Sequence, residues 1–159
     1  MTIDTIDKKI KICSDVLRMI YQSIQFHDDA SEAGGILIGR ENSINKNLII
    51  EHITRPFDAD KQGRGKFLRK DKQHIQVYQD LYANSNGIYA YVGEWHTHPE
   101  SSPNYSATDI RNWKKIGKVM KGGTQYHVIA GIKEICIWEY DAGSGCVNKI
   151  GNAEWEGIF

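Results

Sequence analysis

Apolar positions along the chain switch between a period of two and a period near 3.6, and the switches lay out the elements. Residues 8–13 (KKIKIC) alternate charge and apolar side chains and predict an edge strand. From Val16 the period lengthens. Val16, Leu17, Ile20, Tyr21 and Ile24 form a helical stripe, with Ser14 and Asp15 as N-cap residues, so a helix is expected over 14–26. Apolar runs at 36–38 and 48–54 flank an Asn- and Ser-rich turn at 41–47 and predict a hairpin. Residues 55–72 hold Pro56, Gly63 and Gly65 among mostly basic residues and predict an irregular loop. A second helix begins at Asp71, with Ile75, Val77, Tyr78, Leu81 and Tyr82 as its apolar side, and ends over 84–87. The β-branched and aromatic run at 87–93 (GIYAYVG) predicts a strand. Ile110, Trp113, Ile116 and Val119 mark a third helix to residue 120, stopped by Gly122 and Gly123. Strands follow at 125–131 and 134–140, then a turn at 142–145 and a weaker strand at 146–150. The amphipathic tail GNAEWEGIF is expected to dock on the sheet or on a partner. Hairpins interleaved with three helices make a mixed α/β domain.

At 159 residues the chain fits one domain spanning 1–159. Twenty basic residues balance twenty acidic ones, which argues against a general nucleic-acid or membrane-surface binder. No apolar run reaches the length of a membrane span, and the N-terminal MTIDTIDKKIKIC lacks the apolar stretch of a signal peptide. Cys13, Cys136 and Cys146 are odd in number and widely spaced, so they fit neither a disulfide framework nor a cysteine zinc site. The expectation is a cytoplasmic protein with reduced thiols.

The chemistry concentrates in 93–109, GEWHTHPESSPNYSATD. His96 and His98 fall on one face of a strand that Pro99 terminates. Ser106 and Asp109 sit in the first turn of the third helix, and the loop between is long enough to return Asp109 over the strand end. Two imidazoles and one carboxylate leave a fourth position open, which is the arrangement of catalytic rather than structural zinc. Taken alone, S-x-x-D is a helix capping box, and Glu32, ahead of AGGILIG, is an ordinary loop carboxylate. His74 is expected to be structural or at the surface, and His127 to be a satisfied core histidine.

H-T-H-P, six residues, Ser, two residues, Asp, with Glu32 upstream of a Gly-rich strand, resembles the signature of the JAMM (JAB/MPN) metalloproteases. The resemblance implies a cytidine-deaminase-like (MPN/JAB) fold, a curved central sheet flanked by helices. It also implies one Zn²⁺ held by His96, His98 and Asp109. Glu32 is then the general base that passes a proton from water to the leaving amine, and Ser106 stabilises the oxyanion. The family cuts after the C-terminus of ubiquitin or a ubiquitin-like protein. The runs RGKFLRKDKQHIQ, GEWHTHPE and SATDIRNWKKI resemble the bacterial members found in type II CBASS antiphage operons. There an E1–E2-type enzyme conjugates a cyclic-oligonucleotide synthase (the CBASS nucleotidyltransferase) to targets, and the protease removes it. Deconjugation of a bacterial ubiquitin-like protein is the alternative. Eukaryotic members carry a partner-contacting insertion where this chain has 55–72, so Arg64, Lys66 and Arg69 become candidate substrate contacts, against a solvated loop. Glu94 shares the face of the histidines and is a candidate for the substrate tail, whereas Trp95 points into the core. A zinc deaminase would need H-x-E and P-C-x-x-C, which are missing. A non-catalytic scaffold runs against the intact ligand set.

Overall fold

The computed structural model describes all residues, 1–159. One eight-stranded sheet runs in the order β1 (Thr2–Asp4), β2 (Lys9–Ile12), β4 (Leu48–Ile53), β3 (Gly34–Glu41), β7 (Ala90–Thr97), β8 (Thr124–Ala130), β9 (Glu134–Asp141), β10 (Val147–Glu154). Neighbours are antiparallel except β2–β4 and β7–β8. Parallel neighbours need crossovers. The first includes α1 (Ser14–Tyr21) and the second α3 (Ala107–Val119). Bulges at Leu37/Ile38, Ile38/Gly39 and Lys149/Gly151 bend the strands and curve the sheet.

Strict alternation on β8 and β9 divides the core between two faces. Tyr126, Val128, Ala130, Ile135 and Ile137 meet Val16, Leu17 and Ile20 of α1 in a cluster of 18 buried residues. Ile129, Cys136, Trp138 and Tyr140 meet Trp113 of α3 in a cluster of 5. Each fully buried large apolar side chain contributes about 1.5–3 kcal/mol. The α1 face therefore anchors the fold, and the face carrying α3 is more lightly held.

Several elements depart from the sequence expectation. A strand outside it, β1, takes the edge, so β2 lies one place in. α1 stops at Tyr21, and its N-cap is Cys13, which makes no side-chain cap; Ser14 and Asp15 lie inside the first turn. The chain then turns back so that Gln25, 1% exposed, can bond inward. Part of the expected loop at 55–72 is a hairpin of β5 (Lys61–Gly63) and β6 (Lys66–Leu68), closed by Arg64 and Gly65. On α2 (Gln73–Asn84) the expected apolar side is partly turned out: Ile75 and Tyr82 are exposed, and the one buried residue is His74. His74 is structural, bonding Thr54 Oγ1 at 2.5 Å and Asp60 Oδ2 at 2.7 Å. β10 runs on to Glu154, and the tail docks through Trp155, whose ring meets Tyr21 edge-on.

Candidate active site

β7 delivers the histidine pair. Alternation sends Glu94, His96 and His98 toward α3, and turns Trp95 into the core, where its indole N–H donates to the Thr54 carbonyl at 2.9 Å. His96 Nε2 stands 3.0 Å from His98 Nε2 and 3.3 Å from Asp109 Oδ1, and His98 Nε2 stands 3.7 Å from Asp109 Oδ2. Around a tetrahedral zinc with ligands at 2.0–2.1 Å, the ligand atoms are about 3.3 Å apart. The two separations from His96 fit that ion, while the near approach of His98 is to the other carboxylate oxygen, Oδ2. Burial pushes the pKa of His96 down to about 4, assisted by His98 and opposed by Asp109. The ring is therefore neutral at pH 7 and its lone pair is free for a cation.

α3 brings a carboxylate to the pair through its own cap. Ser106 Oγ accepts from the Asp109 N–H at 3.2 Å, while Asp109 Oδ2 accepts from the Ser106 N–H and hydroxyl, each at 2.6 Å. This capping box holds the carboxylate so that Oδ1 faces His96. The capping box is present, and the same arrangement turns a carboxylate oxygen toward the histidines. One turn on, Trp113 stacks on His127 with centroids 4.2 Å apart and planes within 7°. His127 is buried as expected, but only Nε2 finds a partner, Gln125 Oε1 at 3.1 Å; Nδ1 has none.

Glu32 reaches the site through strand register. Gly34 pairs with His96, and the Thr97 N–H donates to the Ala33 carbonyl at 2.9 Å, which places Glu32 across from His98. The β5–β6 hairpin clamps its backbone: the Glu32 N–H donates to Gly63 O at 2.8 Å, and Gln62 Nε2 donates to Glu32 O at 2.9 Å. Gly34 is required here, because a Cβ would stand 2.5 Å from Phe67 of β6 and 2.7 Å from the Trp95 carbonyl. Gln25 ties the parts together. Its Nε2 donates to Ala30 O (3.0 Å) and Arg64 O (2.8 Å), and its Oε1 accepts from Thr97 Oγ1 (3.2 Å). Thr97 Oγ1 in turn accepts from the Ala33 N–H at 3.0 Å.

Burial, with the Asp109 charge adding to it, pushes Glu32 up to about 8, against the pull of the Phe67 N–H. Its folded pKa thus lies above the ordinary 4.5. The stability it contributes is fully present below that ordinary value and is lost as pH rises through the folded one. In chelator-treated protein, Glu32→Gln, which cannot ionise, should raise Tm above wild type at about pH 9 and converge with it at about pH 5. A Tm difference independent of pH would sink the assignment of a buried, neutral Glu32.

The four candidate substrate contacts part company. Arg69 bonds Glu94 Oε1 through Nε and Nη2, both at 2.8 Å, and the pair lines the cleft with Lys66. Arg64 lies outside the lining. Its guanidinium bonds the His27 and Asp28 carbonyls and the Asp28 carboxylate, so it holds the hairpin turn to the 27–31 loop. The cleft, of about 630 Å³, also takes in Thr108, Asn112 and Lys115 of α3, which sequence reasoning passed over, and Ile116, which it placed in the apolar stripe of that helix. Helical spacing contained part of the signal: with Asp109 facing the site, positions three and seven along, Asn112 and Ile116, share its face, whereas Thr108 and Lys115 lie at its flank.

Residues 15–140 match the family described as prokaryotic homologs of the JAB domain. A CD-NTase/cGAS isopeptidase of Escherichia coli (strain TW11681) is 36% identical over 135 residues, 85% of this chain and 84% of that protein. A protein of the same description from Vibrio cholerae is 31% identical over 112 residues, 70% of each chain. Solution structures of proteins from Desulfitobacterium hafniense and Salinibacter ruber superpose with TM-scores of 0.63 and 0.51. They cover 88% and 87% of both chains at 16% identity, a likeness of fold.

Proposed function

The chain belongs to the prokaryotic JAB-domain family, and from that premise we propose that it is a zinc-dependent isopeptidase. It hydrolyses the bond after the C-terminus of a conjugated protein. The substrate is the cyclic-oligonucleotide synthase of a CBASS antiphage system, joined to its targets by an E1–E2-type enzyme of the same pathway. The single observation that carries this reading is the convergence of His96, His98 and Asp109, ligand atoms all within 4.8 Å of one another, in the cleft that Glu32 enters. The relatives' description as CD-NTase/cGAS isopeptidases supports the choice of substrate.

His96, His98 and Asp109 would hold the ion, which supplies a Lewis acid for the scissile carbonyl and lowers the pKa of water. Glu32 takes the proton of the attacking water and returns it to the leaving amine. A cation held by the three ligands would offset the burial and the Asp109 charge that raise the proton affinity of Glu32, leaving its carboxylate ionised to accept that proton. The Ser106 hydroxyl, released from Asp109 Oδ2, donates to the oxyanion. Lys66 and the Arg69–Glu94 pair border the path of the tail. No helix is long and apolar enough to cross a membrane, and neither a membrane nor a nucleic acid has a part in this reaction. One domain over 1–159, in the MPN/JAB variant of the cytidine-deaminase-like fold, carries the activity.

The test joins the synthase through its C-terminus to a reporter and follows release with and without a chelator. An equivalent fusion to a bacterial ubiquitin-like protein runs beside it. Chelator-sensitive release of the synthase alone is the expected result. Release of the ubiquitin-like protein alone would transfer the enzyme to that pathway, and release of neither by zinc-loaded protein would overturn the isopeptidase reading.

A further inference from the structure

We propose that the rim of the cleft is a docking surface for an acidic face of the protein whose tail enters the site; this rests on the isopeptidase reading and specifies its substrate. The chain as a whole is neutral, yet its charges are segregated. Residues 61–72 and 107–121, the two segments from which the walls of the cleft are drawn, hold 11 of the 20 basic residues and 2 of the 20 acidic ones, with Lys66, Arg69, Lys70 and Lys115 on the lining itself. Of those two, Asp109 belongs to the metal site.

Ion pairing sharpens the contrast. Of the basic side chains on the two walls, Arg64 and Arg69 have carboxylate partners. The other nine have none within 4.0 Å, whereas five of the nine basic residues elsewhere (Lys8, Lys9, Arg18, Arg40 and Lys46) are paired. Lys66 and Lys70 open on the cleft from one side and Lys115 from the other. From Lys115 the charge continues along α3 through Arg111, Lys114 and Lys118, spaced i, i+3, i+4 and i+7 on one exposed face. That face lies opposite Trp113 and Gly117, which pack on the sheet. Like charges four apart destabilise a helix by a few tenths of a kcal/mol each, and a merely solvated face mixes signs to avoid this. A surface kept unpaired and of one sign on both sides of a cleft fits a partner of opposite sign.

The chemistry favours an acidic protein over a nucleic acid. Glu32, Glu94 and Asp109 occupy the middle of the cleft, where a phosphate backbone would meet them. Neither wall offers an exposed aromatic ring for stacking bases: Trp113 is buried, and Phe67 lies over Gly34.

The experiment measures binding of the unconjugated synthase to the zinc-loaded full chain, against salt, beside turnover of the conjugate. The Lys114→Glu/Lys118→Glu variant, outside the cleft lining, is compared with Lys11→Glu/Lys46→Glu, which makes the same change in net charge far from it. Expected is a loss of about tenfold in affinity and in kcat/KM for the first pair, with a flattened salt dependence, and little change for the second. Circular dichroism and Tm establish that both variants are folded. Equal effects of the two pairs, or none, would overturn the proposal. So would single-stranded RNA that competes with the synthase and depends on the same lysines. Binding that behaves as expected without any turnover would separate a failure of the isopeptidase reading from a failure of the docking surface.

Discussion

Glu32→Gln is expected to slow conjugate cleavage by about 10²–10⁴-fold, the range for losing a general acid–base group, while metal stoichiometry stays at the wild-type level. The two halves of this outcome come from separate parts of the site. The ion is assigned to the three ligand atoms contributed by His96, His98 and Asp109, and Glu32 is not among them. Its backbone is held by Gly63 and Gln62, so an isosteric amide keeps the local structure and loses only the proton acceptor. Turnover against bound zinc, measured on the same preparation, reads both. Full activity would remove Glu32 from the base role, and loss of metal would make it a ligand.

Asp109→Asn is expected to abolish cleavage by abolishing metal binding. The affinity loss should exceed the roughly 10–100-fold that outer-sphere partners of a metal carry. The amide oxygen can still accept from the Ser106 N–H, so the helix start survives. Ser106→Ala makes the opposite change. It removes the acceptor for the Asp109 N–H, at a cost of about 1 kcal/mol in stability, and leaves the ligand carboxylate in place. Elemental analysis and Tm of the two variants separate ligation from capping. Undiminished zinc in Asp109→Asn would take Asp109 out of the ligand set.

The ligand strand and the start of α3 were legible in the sequence because both rest on local rules. Period-two alternation fixes the shared face of His96 and His98, and S-x-x-D fixes the cap. What escaped depends on partners distant in the chain. Strands of three residues carry no readable period, so β5 and β6 looked like loop, and what holds them is the polar contact of Gly63 and Gln62 with Glu32 and of Arg64 with Gln25. α2 misleads for a related reason. Its buried residue is a histidine that Thr54 and Asp60 satisfy, while Ile75 and Tyr82, apolar by pattern, remain outside. α1 stops five residues early because Gln25 bonds across to Thr97, Ala30 and Arg64 rather than continuing the stripe. The docking face on α3 is equally hidden until the opposite wall is known.

The Gln25 node also bears on the order in which the enzyme comes into being. Its bond to Thr97 spans 72 residues and its bond to Arg64 spans 39; Thr97 reaches Ala33 across 64. Closing such loops loses entropy before the contacts reward it, so they form late. On the ribosome, Glu32 emerges long before the strand that positions it, and Asp109 later still. A partly made chain therefore holds Glu32 without the strand that fixes its position. On the proposed reading, the cleft is assembled only once β7 and α3 have joined the sheet, so the site forms with the fold and not ahead of it.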